Sequence, residues 1–382
     1  MKNRPAAGFK RRSGEVAKHT GKISGRLLAE NAANENAMHG AAIRGRRELF
    51  MRTITVLDSA TLGEDLDLSP LSTVGKIEIY ANTAPEDVAD RLQNSDVVVI
   101  NKVKLHAQNL AAAPNLRLIC VAATGYDNID VAYCRRHGIA VCNVKGYSTF
   151  SVTQITVATV LSLVCHLPEH TETVRSGRYT ASGVANSLTP VYHELMGQTW
   201  GILGYGHIGR QVGEVARALG CRVIYTRRHP DETQDPACVD IESLFRQSDV
   251  LTIHTPLTDA TRGIVNRERI AQMKPGAVLV NAARGAVTDE QALAEAIEAG
   301  RLGGLGSDVY SVEPFGTEHP FYRIKDRSNV CLTPHMAWGA YEARERCLCE
   351  IVKNINAFFA GEIRSRVDLP CESQGSAAAK EG

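Results

Sequence analysis

The sequence predicts an α/β protein built from two doubly wound parallel-sheet units, and two observations carry that prediction. Short apolar runs alternate with amphipathic stretches from about residue 54 to 309, as expected of strands buried on both faces and covered by helices. The alternation also occurs twice, and the second series opens on an apolar run that leads into a glycine loop in mid-chain. The first series comprises Ile54–Leu57, Lys76–Tyr80, Asp96–Ile100, Leu116–Cys120 and Ile139–Cys142. The second comprises Thr199–Leu203, Arg222–Tyr225, Val250–Ile253, Ala277–Val280 and Gly306–Val309. Residues 336–362 then read as one helix, with Ala340, Ala343, Cys347, Ile351, Ile355 and Phe358 on one face, expected to return and pack on the first unit.

Composition fits two globular domains: 382 residues, 44% hydrophobic and 22% charged. The net charge of +1 conceals an asymmetry, because residues 1–50 hold 11 Lys/Arg against 4 Glu while the remainder holds 32 Lys/Arg against 38 Asp/Glu. Residues 1–50 lack any sustained apolar period and read as a disordered basic extension. A transit peptide is the alternative, against which Glu15, Glu30, Glu35 and Glu48 argue, and Met51 is an alternative start. The mildly acidic body forms no basic face for nucleic acid. No apolar run reaches the roughly 18 to 20 residues of a membrane helix, so no membrane partner is expected. The ten cysteines form neither a C-x-x-C pair nor a zinc-spaced cluster, which points to a reduced, cytoplasmic protein with no metal. The organisation expected is an extension (1–50), a substrate-binding domain (51–150, completed by 335–365), a dinucleotide-binding domain (151–334) and a polar tail (366–382).

The glycine loop is Gly204-Tyr-Gly206-His-Ile-Gly209. Alone, such spacing is weak, since glycines also mark ordinary turns. Here it follows an apolar strand and opens a helix expected over Arg210–Leu219, ended by Gly220. That context suits a dinucleotide: glycines allow a tight turn and close backbone approach, and the helix N-terminus faces the pyrophosphate. Where NAD-binding proteins place a carboxylate on the ribose 2′-hydroxyl, this chain reads Tyr225-Thr226-Arg227-Arg228. Adjacent guanidiniums bind a 2′-phosphate, so NADP is favoured over NAD; a pair of solvated loop arginines is the alternative.

The stretches VAATGYDNID (121–130), GILGYGHIG (201–209), HTPLTDATRGIVN (254–266), MKPGAVLVNAARGAVTDE (273–290), DVYSVEP (308–314) and LTPHMAWGAYEAR (332–344) resemble the D-isomer-specific 2-hydroxyacid dehydrogenases, collinearly from about residue 52 to 362. Lys145 to Gln154 and the pair Ala337-Trp338 are similar to its glycerate dehydrogenase/hydroxypyruvate reductase branch. The resemblance implies two Rossmann-like or flavodoxin-like domains with a deep cleft between them, a homodimer, and a catalytic set of Arg284, Glu313 and His335. It implies substrate carboxylate contacts from Arg284 and from backbone N–H groups of the loop holding Thr124 and Gly125. Its cofactor set maps onto Gly204, Gly206, His207, Ile208, Gly209, Arg227, Arg228, Thr255, Pro256, Thr261, Ala282 and Asp308, the last as partner of the nicotinamide carboxamide. Departures are Arg227 at the usual acidic position, Thr153 where Ala is commoner, and residues 1–50, which have no counterpart.

The three polar residues suit reduction of a 2-keto acid. Hydride reaches the carbonyl carbon while negative charge develops on its oxygen, so a proton donor must stand within hydrogen-bond reach, and His335 supplies one. A carboxylate beside an imidazole favours the imidazolium and fixes the tautomer, a role open to Glu313. Arg284 grips carboxylate and carbonyl oxygen together. Tyr147 is read either as lining the cleft or as a hinge aromatic, Trp338 as opening the last helix, and His254 as structural or near the cofactor. The expected activity is interconversion of a small 2-keto acid and its D-2-hydroxy acid, with hydroxypyruvate or glyoxylate as substrate. A phosphoglycerate dehydrogenase and a dinucleotide-sensing corepressor-like scaffold are the competing readings.

Overall fold

The computed structural model describes residues 52–228 and 234–369. The basic extension 1–50, Met51 and the tail from 370 onward lie outside the described residues.

Two parallel sheets organise the chain. The first contains β1 (Thr53–Val56), β2 (Lys76–Ile79), β3 (Val97–Ile100), β4 (Leu118–Val121) and β5 (Ala140–Cys142), in the order β2-β1-β3-β4-β5. The second contains β6 (Thr199–Leu203), β7 (Arg222–Thr226), β8 (Val250–Ile253), β9 (Val278–Asn281), β10 (Gly304–Ser307) and β11 (Val330–Leu332), in the order β11-β10-β9-β8-β6-β7. Every pairing is parallel. In each sheet the strand order reverses next to the first strand, between β1 and β3 and between β6 and β8. Doubly wound sheets bind ligands outside the carboxyl ends of strands at such points.

Burial explains why these runs are strands. The Val97–Ile100 and Leu118–Val121 strands are buried at every residue, as a sheet covered on both faces requires. Each sheet has an apolar cluster on either face. The final helix, Tyr341–Phe359, places Ala343, Cys347, Ile351 and Ile355 into the cluster that covers β1, β3 and β4, so the chain does return to its first sheet. Helix Thr149–Val164 runs the other way, putting Val160 and Leu163 against the second sheet.

Several boundaries differ from expectation. Strand β10 lies two residues before the expected Gly306–Val309, because Gly304 and Gly306 face helix Thr149–Val164 at a distance that admits no β-carbon on Gly306. Strand β11 is absent from the sequence series: it is an edge strand fully buried only at Val330, so it lacks the continuous apolar signal of the inner strands. The helix after the glycine loop is His207–Ala218, starting three residues before Arg210. The last helix begins at Tyr341 rather than 336, so Trp338 precedes it. The tail expected from 366 begins with a docked stretch: Val367 N donates to Val141 O at 2.9 Å, and buried Asp368 accepts from Val141 N at 2.9 Å. Among the described residues no single helix is long and apolar enough to cross a membrane, and no group of three or more His, Cys, Asp or Glu is placed to hold a metal.

Candidate active site

All strands of the second sheet point the same way, so the loops at their carboxyl ends share one edge. Gly204 to Gly209 follow β6, Arg227 and Arg228 follow β7, Thr255 and Pro256 follow β8, Ala282 and Arg284 follow β9, and Asp308 and Glu313 follow β10. Folding therefore gathers residues that the sequence scatters.

The glycines of the loop differ in what they do. Gly204 has a φ of 95°, and a β-carbon there would lie 2.7 Å from Thr255 N, so the turn at the β6/β8 switch point excludes side chains. A β-carbon on Gly206 would meet nothing within 4 Å. That space opens in front of helix His207–Ala218, whose N-cap has no side-chain hydrogen bond. First-turn N–H groups with the positive end of a helix behind them fit a pyrophosphate. His254, beside this turn, has both ring nitrogens buried and hydrogen-bonded to none of the described residues, and desolvation of the ring pushes its pKa down to about 3, so it is neutral. Thr261 donates to Pro256 O at 2.6 Å and accepts from Thr258 N at 2.8 Å, which makes its hydroxyl a brace of the 256–261 turn.

Arg284 is aimed by the turn around it. Asn281 accepts from Ala283 N and donates to Arg284 O, both at 3.0 Å. The guanidinium reaches the first sheet's loop: Nε lies 3.5 Å from Asp127 Oδ1, and Gly125 passes so close that a β-carbon would collide with it. Thr124 is fixed by its hydroxyl to Val144 O at 2.9 Å and by its carbonyl to Asn143 Nδ2 at 2.7 Å. The structure thus brings Arg284 onto the Thr124–Gly125 loop.

His335 Nδ1 and Glu313 Oε2 are 2.6 Å apart. Burial pushes the Glu313 carboxyl up, but the hydrogen bond and charge of His335, the Tyr310 N–H and Lys102 outweigh it and hold the group below the ordinary glutamate value. Glu313 is therefore ionised at neutral pH. His335 has a φ of 54°, unusual for a residue with a side chain. Asp308 clamps that turn: Oδ1 accepts from Thr333 Oγ1 at 2.6 Å and Met336 N at 2.9 Å, and Oδ2 from Ala337 N at 2.9 Å. Trp338 Nε1 donates to His335 O at 3.0 Å, and its ring meets buried Tyr147 edge-on at 6.2 Å, so both aromatics brace the junction between the sheets.

Four residues near the site escape sequence reasoning. Lys102 Nζ lies 3.2 Å from His335 Nδ1. Buried Asp58 accepts backbone N–H bonds from residues 101 to 103. Buried Glu290 accepts from Ser311 N at 2.8 Å and pairs with His319 Nε2 at 2.9 Å, which anchors the loop carrying Glu313. None of the four offered a motif signal; Lys102 is one of two lysines, with Lys104, just past an apolar strand.

Known proteins resemble the chain over most of its length. Residues 157–337 match the profile of the D-isomer specific 2-hydroxyacid dehydrogenase, NAD binding domain. The chain is 35% identical over 315 residues to the hydroxypyruvate reductase of Blautia hydrogenotrophica, spanning 81% of this chain and 97% of that protein. It is 35% identical over 291 residues to the glycerate dehydrogenase of Methylorubrum extorquens, spanning 76% and 91%. Among solved structures, D-lactate dehydrogenase from Aquifex aeolicus, complexed with NAD and lactic acid, superposes with a TM-score of 0.73 at 28% identity, spanning 84% of this chain and 100% of that one. The chain belongs to the D-isomer-specific 2-hydroxyacid dehydrogenase family. It is an oxidoreductase that uses a nicotinamide dinucleotide, and it falls with the glycerate dehydrogenase and hydroxypyruvate reductase branch.

Proposed function

We propose that the protein reduces hydroxypyruvate to D-glycerate or glyoxylate to glycolate, using NADPH in preference to NADH. The observation that carries the chemistry is the 2.6 Å contact of His335 Nδ1 with an ionised Glu313. That contact occupies Nδ1 and leaves Nε2 to face substrate. A bound reduced nicotinamide supplies the hydride. Arg284 holds the substrate carboxylate and keto oxygen, with the Thr124–Gly125 amides on the other side of the carboxylate. His335 Nε2 gives its proton to the keto oxygen as the C2 centre is reduced, while Glu313 keeps the Nδ1 proton in place. Asp127, 3.5 Å from Arg284, is displaced electrostatically by an anionic substrate.

In this reading residues 51–150, completed by 335–365, bind substrate and 151–334 bind the dinucleotide. Gly204, Gly206, His207, Ile208 and Gly209 hold the pyrophosphate, and Thr255, Pro256 and Ala282 line the path to the nicotinamide, with Thr261 shaping their loop. Asp308 uses three of about four acceptor sites on the clamp, and the remaining one serves the carboxamide. Arg227 and Arg228, exposed at the end of β7, take the 2′-phosphate. A homodimer belongs to the same proposal, supported by an exposed apolar arm that includes Val184, Leu188, Val191, Tyr192 and Met196.

The test is kcat/KM for hydroxypyruvate, glyoxylate, pyruvate and phosphohydroxypyruvate, each with NADPH and NADH. Hydroxypyruvate or glyoxylate is expected to rank first, with NADPH preferred by about tenfold or more. A comparable preference for NADH refutes the role of the two arginines. Dinucleotide binding without turnover of any of the four acids refutes the reductase and favours a dinucleotide-sensing scaffold.

A further inference from the structure

Lys102 stands two residues past β3, at the switch point of the first sheet, with Nζ 3.2 Å from His335 Nδ1 and 3.9 Å from Glu313 Oε2. Its backbone is fastened from both sides. The Asp58 carboxylate, just past β1, accepts the N–H groups of Asn101, Lys102 and Val103 at 3.0, 2.5 and 3.1 Å. Asn128 Nδ2 donates to Val103 O at 2.8 Å. A braced turn therefore carries this cation across the cleft to the proposed proton donor.

The Nδ1 atom of a neutral imidazole bears either a proton or a lone pair. Glu313, 2.6 Å away, can only accept, whereas an ammonium can only donate, so Nδ1 satisfies one neighbour at a time. With Glu313 engaged, Nδ1 is protonated and Nε2 is free to give or take the proton of the reaction. With Lys102 engaged, Nδ1 accepts, and the neutral ring keeps its proton on Nε2, where it cannot act as base. We propose that Lys102 is a positioning residue that competes with Glu313 for His335 Nδ1 and so sets the tautomer and proton occupancy of that ring. This rests on the reading of His335 as proton donor.

The charged groups around the pair are Glu313 and Asp308 from the loop after β10, Arg284 from the loop after β9 and Asp127 from the loop after β4. Burial holds Lys102 below the ordinary lysine value with help from Arg284, and Glu313, Asp127 and Asp308 oppose them. Lys102 comes from the first sheet and its two partners from beyond β10 and β11 of the second.

The sign follows from like charges. A cation within about 4 Å disfavours a second proton on the imidazole, so its removal moves the upper pH limit of keto-acid reduction upward by about half a unit to one unit. The experiment pairs the pH profile of kcat/KM for hydroxypyruvate with 15N spectra of the His335 ring in the cofactor-bound protein, its signals assigned with H335Q. K102M and K102Q are expected to raise the limit and to enrich the neutral Nδ1–H form. K102R is expected to resemble the wild type, and E313Q to lower the limit. Unchanged limits and spectra in K102M and K102Q overturn the proposal, as does a K102R profile shifted like K102M. The spectra need no turnover; if no 2-keto acid is reduced, they still test Lys102 while the functional reading fails.

Discussion

His335 is held in the left-handed region by neighbours that no motif describes in those terms. Asp308 binds the amides that follow it, and Trp338 binds its carbonyl. A residue kept at an unfavourable φ persists only where its surroundings over-determine it. Asp308 was legible as a site residue through the resemblance to its family, yet its clamp was not, because hydrogen bonds to main-chain N–H leave no trace in side-chain spacing. Lys102 and Asp58 were illegible for another reason. They meet across 44 residues, and Lys102 meets His335 across 233, contacts that only strand order creates. The Asp58 carboxylate is buried, and Asp58→Ala strips three N–H groups of their acceptor. A loss of about 2–4 kcal/mol in urea unfolding is expected. A loss under about 0.5 kcal/mol would show that the turn holds itself.

At the scale of elements, the sequence was most legible where apolar residues were continuous and bounded. Val97–Ile100 and Val250–Ile253 fall where their runs place them. Strand β10 was displaced because its residues, Gly304-Leu-Gly-Ser307, trade side chains for close approach of helix Thr149–Val164. Thr159 in that helix sits over Gly306, so the glycines are explained by packing between layers, which a window along one strand does not sense. Helix His207–Ala218 starts before Arg210 for a related reason: Gly206 to Gly209 carry a loop composition, yet the helix N-cap and first turn are built from them. Glycine in that turn costs helix propensity and is tolerated where backbone must face a ligand. In the connection from β11 to the last helix Ala340 keeps the helical period, but residues 335–340 are spent on the turn that presents His335.

At the scale of the whole molecule, each sheet brings its switch point to the cleft. That of the second sheet carries the glycine turn; that of the first is filled by Asp58 and carries Lys102. Arg284 and Lys102 both reach across between the sheets, so the candidate site exists only when the two face each other. The exposed arm makes a further claim. Sedimentation velocity is expected to give a particle of two chains, and a Leu188→Asp/Val191→Asp double substitution to give one of a single chain. A wild-type monomer at micromolar concentration would leave that arm without the partner assigned to it. We propose His335 as the proton donor in reduction of a small 2-keto acid. Its most direct test is kcat for hydroxypyruvate with saturating NADPH in the wild type and in His335→Gln. Turnover in the wild type and a loss of about 10²- to 10⁴-fold in the variant, with dinucleotide binding retained, are expected; a variant within a few-fold of a working wild type would contradict proton donation by His335.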